Sequence, residues 1–245
     1  MAARVTGVIA AVMEGIAKVT RGIASIGEGV MDFAYVKVVG LPFVVLGYRG
    51  TGKTTLIEYL RRSAEYLEDF DPEPTAAGGE PVPRFTTRLE GEGFRLRPRR
   101  DVGGEYAMWE TDWASLFEQA RPRGILFMLD GSDPYHHKDA LNFVLNLIED
   151  ERGASRNLKA FALLVNKADL WAGERTLEDV LEDYRNETRR LKSQAERLGY
   201  QHLIAATSLK TGEGVPEAMA AFFNSIRPRS RPLEQPAGRS NGRGA

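Results

Sequence analysis

Cysteine is absent from the 245 residues. That excludes disulfides, thiolate metal sites and cysteine nucleophiles. It suits a reducing compartment without requiring one. No run of about 18 or more apolar residues occurs, so no membrane-spanning helix is expected. A dominant charge is missing as well: 33 Lys and Arg against 34 Asp and Glu leave a formal net charge of -1. With no global field, neither nucleic acid nor a strongly acidic partner is indicated. Arg4, Glu14, Lys18 and Arg21 interrupt the N-terminal apolar stretch, so a cleaved signal peptide is not expected. Met1 is not followed by Gly, and there is no C-terminal cysteine for a prenyl group. The expectation is a cytoplasmic protein, with peripheral contact at a membrane left open.

What is present is ordinary globular material, 42% hydrophobic and 27% charged, enough for one sizeable core. Three regions differ in texture. Residues 1–35 carry small apolar residues at helical spacing. Residues 36–226 alternate apolar runs with amphipathic stretches. Residues 227–245, rich in Pro, Gly, Ser and Arg, cannot bury a core and read as a disordered tail.

In the middle region PFVVLG (42–47), GILFMLD (124–130), KAFALLVN (159–166) and HLIAAT (202–207) are apolar runs of strand length. Between them lie helical stretches near 53–67, 135–151, 176–198 and 215–226. RFTTRLE and GFRLRPRRD flank Gly91-Glu92-Gly93 and read as a β-hairpin, whereas residues 69–83 read as a mobile loop. The alternation predicts an α/β fold: a mostly parallel, six-stranded sheet with helices on both faces.

The strongest chemical signal is the run Gly47, Tyr48, Arg49, Gly50, Thr51, Gly52, Lys53, Thr54, followed by Thr55. It satisfies G-x-x-x-x-G-K-[ST] between an expected strand and an expected helix. Glycines let the backbone curl so that several N–H groups face one phosphate chain, and the helix N-terminus adds partial positive charge. In such a turn the lysine reaches the β- and γ-phosphates and the threonine hydroxyl ligates Mg²⁺.

Three further segments follow in order: Asp101-Val102-Gly103-Gly104, Asn166-Lys167-Ala168-Asp169, and Thr207-Ser208-Leu209-Lys210. With the phosphate turn they resemble the DxxG, NKxD and TSAK elements of the Ras/Arf family of small GTPases, over roughly residues 40–226. The form DVGG, and the strand FMLDGSD, are similar to the Arf, signal-receptor-β and Rag-type subgroup. The resemblance implies a P-loop G domain that uses GTP or GDP with Mg²⁺, and unidentified protein effectors and regulators. It implies that Asp101 holds Mg²⁺ through water, with Thr54 as a direct ligand, and that Gly104 meets the γ-phosphate. A carboxylate at Asp169 suits guanine, whose N1–H and N2–H₂ offer two parallel donors that adenine lacks. The Lys167 stem would cover the base, and Ser208, Leu209 and Lys210 complete its site, the Leu209 N–H reaching guanine O6.

Three positions depart from or blur the pattern. Glu105 stands where the family has a Gln that orients the attacking water; as an anion it repels a γ-phosphate, or it acts as a base. Arg49 stands where Ras proteins carry a small glycine. It is an arginine finger in cis, a block to a partner's arginine, a partner for Glu105, or a solvent-facing side chain. The switch I threonine that ligates Mg²⁺ is best matched by Thr75, after Pro74 and 26 residues ahead of Asp101, over Thr86 and Thr87. The expectation from Glu105 and Arg49 is slow unassisted hydrolysis.

Trp109 and Trp113 follow the DVGG segment, either as a docking surface for partners or as core. The arginines at 84, 88, 95, 97, 99 and 100 make the hairpin basic, which fits a docking face or simple protection of an edge strand. His136 and His137 show no metal-ligand pattern. In residues 5–33, Val5, Val8, Val12, Ile16, Val19, Ile23, Ile26 and Val30 form one stripe on an amphipathic helix of about eight turns. Gly15, Gly22 and Gly29 weaken it by about 1 kcal/mol each. It therefore needs a surface: a membrane, a second protein or copy, or the chain's own G domain. Three function classes remain: a GTP/GDP switch, a hydrolysis-poor scaffold that assembles through this helix, and an ATPase or kinase, which the NKAD element disfavours.

Overall fold

The computed structural model describes residues 39–62, 70, 72–133 and 135–228. The expected N-terminal amphipathic helix, and the Arg-rich tail beyond residue 228, lie outside the described residues. Val36–Arg227 form one compact unit.

Strand β1 (Leu41–Gly47) is buried along its whole length. It pairs in parallel with β6 (Gly124–Asp130), and β7 (Ala160–Asn166) and β8 (Gln201–Ala206) continue the parallel run. On its other side β1 pairs in parallel with β4 (Glu92–Arg97), which forms an antiparallel hairpin with β3 (Phe85–Leu89). The six-stranded sheet has the order β3-β4-β1-β6-β7-β8. Strands covered on both faces need apolar residues at every position, which explains the unbroken runs in the sequence.

Side chains alternate between the two faces. Val44, Leu46, Ile125, Phe127, Leu129, Phe161 and Leu163 join one buried cluster. It is covered by α2 (Ala114–Ala120), α3 (His137–Asp150) and α7 (Arg185–Leu198). Phe43, Val45, Leu126, Met128, Ala162 and Leu164 join the other. There α1 (Lys53–Arg61) and α8 (Val215–Ile226) supply the cover. Each large apolar side chain so buried contributes about 1.5–3 kcal/mol. Short helices α4 (Arg152–Ser155), α5 (Ala168–Trp171) and α6 (Leu177–Glu182) lie between the longer ones, and a 3₁₀ turn (Tyr106–Met108) and a π-helical turn (Trp109–Trp113) lead into α2. The mostly parallel six-stranded sheet with helices on both faces is as expected from the sequence.

The differences are local. Residues 69–83, expected as loop throughout, include a strand, β2 (Glu80–Val82), paired antiparallel with β5 (Arg99–Asp101). The run GFRLRPRRD, expected as one strand, divides at Pro98 into β4 and β5. Proline cannot donate to a ladder, and Arg99 then takes a left-handed φ of 75°. The stretch 176–198 is two helices, α6 and α7, rather than one. No described helix is long and apolar enough to cross a membrane.

Candidate nucleotide site

The C-terminal ends of β1, β6 and β7 bring Gly47, Asp130 and Asn166 to one edge of the sheet, where α/β sheets place ligands. The turn after β1 needs its glycines. A side chain at Gly47, whose φ is 147°, would come within 2.5 Å of the Met128 carbonyl oxygen. Gly52 is left-handed (φ 97°) at the N-cap of α1, with no side-chain cap. The first turn of α1 is therefore uncapped. Among the described residues, the first backbone N–H after the turn to find a carbonyl is that of Leu56, which bonds Gly52 at 2.8 Å. The donors ahead of it face a cavity of about 600 Å³, lined by the turn, by Pro74 and Thr75, and by Lys167, Asp169 and Lys210. An uncapped helix start with open donors is an anion site.

Lys53 is buried, and its ammonium donates to the Tyr48 carbonyl at 3.0 Å, beside Thr51, whose hydroxyl donates to the same oxygen at 2.9 Å. Burial pushes the Lys53 pKa down to about 8, with Asp101 and Glu105 partly countering it. A desolvated cation beside an open row of N–H donors suits an anionic ligand.

Thr54, Thr75 and Asp101 converge although they come from three separate segments. The Thr54 hydroxyl donates to Asp101 Oδ2 at 2.6 Å, and the Thr75 hydroxyl lies 3.3 Å from the same oxygen and 3.4 Å from Thr54 Oγ1. The β2–β5 pairing carries the loop of Thr75 over the end of β5. Asp101 Oδ1 is buried with no hydrogen-bond partner. Two hydroxyls and a carboxylate with an open oxygen are the hard-oxygen donor set that Mg²⁺ takes, so these residues fit the ion. Thr86 and Thr87 lie on β3, away from this cluster; Thr87 is fully buried.

The far end of the cavity is built on the NKAD and TSLK turns. Asn166 ties them together: its Nδ2 donates to the Thr51 carbonyl at 2.9 Å, and its Oδ1 accepts from the Leu209 N–H at 3.1 Å and the Thr207 hydroxyl at 3.4 Å. The Ser208 hydroxyl donates to Asp169 Oδ1 at 2.6 Å, and Lys210 lies 3.9 Å from Asp169 Oδ2. The Asp169 side chain is only 15% exposed. The Leu209 N–H, expected to reach guanine O6, donates to Asn166 Oδ1 in this structure, while the Lys210 N–H has no acceptor among the described residues.

Lys167 sits at the N-cap of α5 with a left-handed φ of 61°, and its ammonium meets Asp130 Oδ2 at 2.5 Å. Burial pushes the Asp130 carboxyl up, but hydrogen bonds from Lys167 and Ser132 outweigh it and hold it below the usual carboxylate range. The sequence reading assigned Asp130 no role; the sign of one was its place at the end of a buried strand. Trp171, also unassigned, donates its indole N–H to the Asn166 carbonyl at 3.0 Å.

Arg49 is exposed at the cavity mouth and makes no ion pair with Glu105 among the described residues. Glu105 lines the cavity, and its Oε2 is buried without a hydrogen-bond partner. Trp109 and Trp113 are buried, 3% and 0% exposed, so the docking-surface reading gives way to core packing. Tyr106 beside them is the exposed aromatic, at 73%. His136 stacks on Tyr48 with ring centres 5.1 Å apart. His137 is buried, and burial pushes its pKa down to about 4. No metal-holding cluster of His, Asp and Glu occurs among the described residues.

No protein-family model matches the chain. Among solved structures it is similar to the Arl6 (BBS3) small GTPase from Trypanosoma brucei, determined with the bound nucleotide analogue GppNp. The identity is 20% and the TM-score 0.50, over 76% of this chain and 96% of that one. The likeness is one of fold: that of an Arf/Ras-like small GTPase.

Proposed function

We propose that this chain binds guanine nucleotide with Mg²⁺ and acts as a switch between GTP and GDP states, hydrolysing GTP slowly when unassisted. The observation that carries the reading is the joint presence of two half-sites in one cavity. One is an uncapped helix start with a buried lysine beside the Thr54–Thr75–Asp101 cluster. The other is Asp169, held by Ser208 with a second oxygen available. The first suits a polyphosphate and the second suits a donor pair on a purine edge.

In this reading Gly50 to Thr55 and Lys53 hold the phosphates, and Thr54, Thr75 and Asp101 hold Mg²⁺, which when bound neutralises charge on the phosphate oxygens. Asn166 fixes the spacing between the phosphate turn and the base site through its bonds to Thr51 and Leu209. Lys167, braced by Asp130, lays its stem over the base. Arg49, exposed at the cavity mouth, is a cation on the turn that would face a terminal phosphate. Subgroup membership with the Arf-like proteins is part of the proposal and rests on the DVGG segment.

The second reading, a hydrolysis-poor scaffold that binds GTP, is favoured by Glu105. Its carboxylate stands at the cavity without a partner for one oxygen. It adds negative charge where a water-orienting amide is wanted. Attachment to a membrane, to a partner protein or to a second copy through residues 5–33, and residence in the cytoplasm, belong to the same proposal. The deciding experiment is binding and single-turnover hydrolysis of GTP and ATP with the purified full chain. Micromolar or tighter GTP binding with turnover well below one per second supports the switch. Equal affinity for ATP overturns it.

A further inference from the structure

Trp113 and Trp109 each direct their single polar atom to a glycine carbonyl of the DVGG segment. Trp113 Nε1 donates to the Gly103 oxygen at 2.8 Å, and Trp109 Nε1 donates to the Gly104 oxygen at 3.0 Å. The two indoles stack with centres 5.3 Å apart and planes 25° from parallel. Trp109 also meets Tyr48, in the phosphate-binding turn, edge to face at 6.5 Å. Both indoles are buried in the core cluster beneath the sheet.

In a trans peptide the carbonyl and the N–H point in opposite directions within one plane. No peptide in the described chain is cis. The Gly103 oxygen and the Gly104 N–H belong to the same peptide, so pinning the oxygen toward the core aims the N–H away from it. Gly104 is buried and lies against the Tyr48 and Arg49 backbone, where any side chain would collide. Its N–H donates to no acceptor among the described residues. One end of this peptide is thus satisfied by protein, and the other is a buried donor at the edge of the cavity. The bond from Trp109 fixes the next peptide and with it the Glu105 N–H in the same way. A buried donor held without an acceptor is preorganised for one that arrives with a ligand.

We propose that Trp113 and Trp109 are positioning residues that aim the Gly104 and Glu105 N–H groups at a terminal phosphate, and so set the preference for nucleoside triphosphate over diphosphate. This rests on the nucleotide reading above. The terminal phosphate is the group by which the two ligands differ, so a donor aimed at it discriminates between them, whereas a merely structural tryptophan affects both alike.

The test compares GDP with a non-hydrolysable GTP analogue, both with Mg²⁺, on the full chain and on Trp113→Phe and Trp109→Phe, by calorimetry. Phenylalanine keeps an aromatic ring and removes the donor. The expected result for Trp113→Phe is an affinity for the analogue lowered about tenfold, with GDP affinity unchanged within about twofold. If Trp113→Phe does not fold, site-specific benzothienylalanine at 113 keeps the ring shape and replaces N–H by sulfur. Equal weakening of both nucleotides, or no change in either, overturns the inference while leaving nucleotide binding intact. A wild-type chain that takes up neither nucleotide removes the nucleotide reading, and this inference with it.

Discussion

Thr75 and Asp101 meet through their side chains, Oγ1 to Oδ2 at 3.3 Å, although the loop of one and the strand of the other are 26 residues apart. Thr54 Oγ1 meets the same oxygen at 2.6 Å. This cluster connects the start of α1 to both segments expected to respond to nucleotide. Replacing Thr54 by Ala removes the closer hydroxyl and leaves the turn glycines in place. The expected outcome is loss of the Mg²⁺-dependent part of nucleotide affinity, about tenfold or more, with thermal stability little changed. Titrations with and without EDTA read it directly. Thr87→Ala, on β3, is expected to leave Mg²⁺ dependence untouched.

Lys53 gives a pH dependence with a definite sign. Its pKa is about 8 in the free protein, against 10.5 for an ordinary lysine. Between those values the unfolded chain holds a proton that the folded chain has released. By linkage, this residue makes the free protein more stable as pH rises through that window. Phosphates favour the ammonium, so nucleotide binding takes up a proton above about pH 8, and affinity falls as pH rises. The two slopes have opposite signs. Calorimetry in buffers of differing ionisation heat detects the proton uptake. Affinity that is flat from pH 7 to 10 contradicts the assignment of Lys53.

Asp169 is held by Ser208 at one oxygen and approached by Lys210 at the other. Asp169→Asn keeps the shape but replaces one acceptor by a donor. Guanine then loses half of its paired contact, and GTP affinity is expected to fall roughly 100-fold. Xanthine, with a carbonyl where guanine has its amine, matches the amide instead. Competition between GTP and XTP for the variant is the check.

Glu105→Gln removes a charge from the cavity and restores an amide. The expected outcome is tighter triphosphate binding and single-turnover hydrolysis faster by roughly tenfold. A slower variant would assign Glu105 the role of base rather than obstacle.

The parallel core of the fold was legible because strands buried on both faces must be apolar throughout, as Val44–Leu46 and Ile125–Leu129 are. The glycine turn after β1 was legible because its signature, Gly47, Gly52, Lys53 and Thr54, lies within eight consecutive residues, although its close neighbours Met128 and Asn166 come from distant strands. Strand β2 was not, because Glu80-Pro81-Val82 has no apolar run and exists only through its pairing with Arg99–Asp101. The tryptophans were ambiguous for a physical reason. An indole suits a docking face or a core equally well, and their burial in the fold, with N–H bonds to Gly103 and Gly104, decides for the core. The brace from Asp130 to Lys167 was hidden for the same reason as β2: it joins ends of two different strands. The bond from the Leu209 N–H to Asn166 was not legible either. Backbone donors carry no signature in side-chain identity.

The most direct measurement is calorimetric titration of the purified full chain with GTP and, separately, ATP, each in excess Mg²⁺. A guanine-specific site predicts saturable heat with GTP at micromolar or lower concentration and an affinity for ATP weaker by at least about 100-fold. Indistinguishable curves for the two nucleotides, or no heat from either, would contradict it.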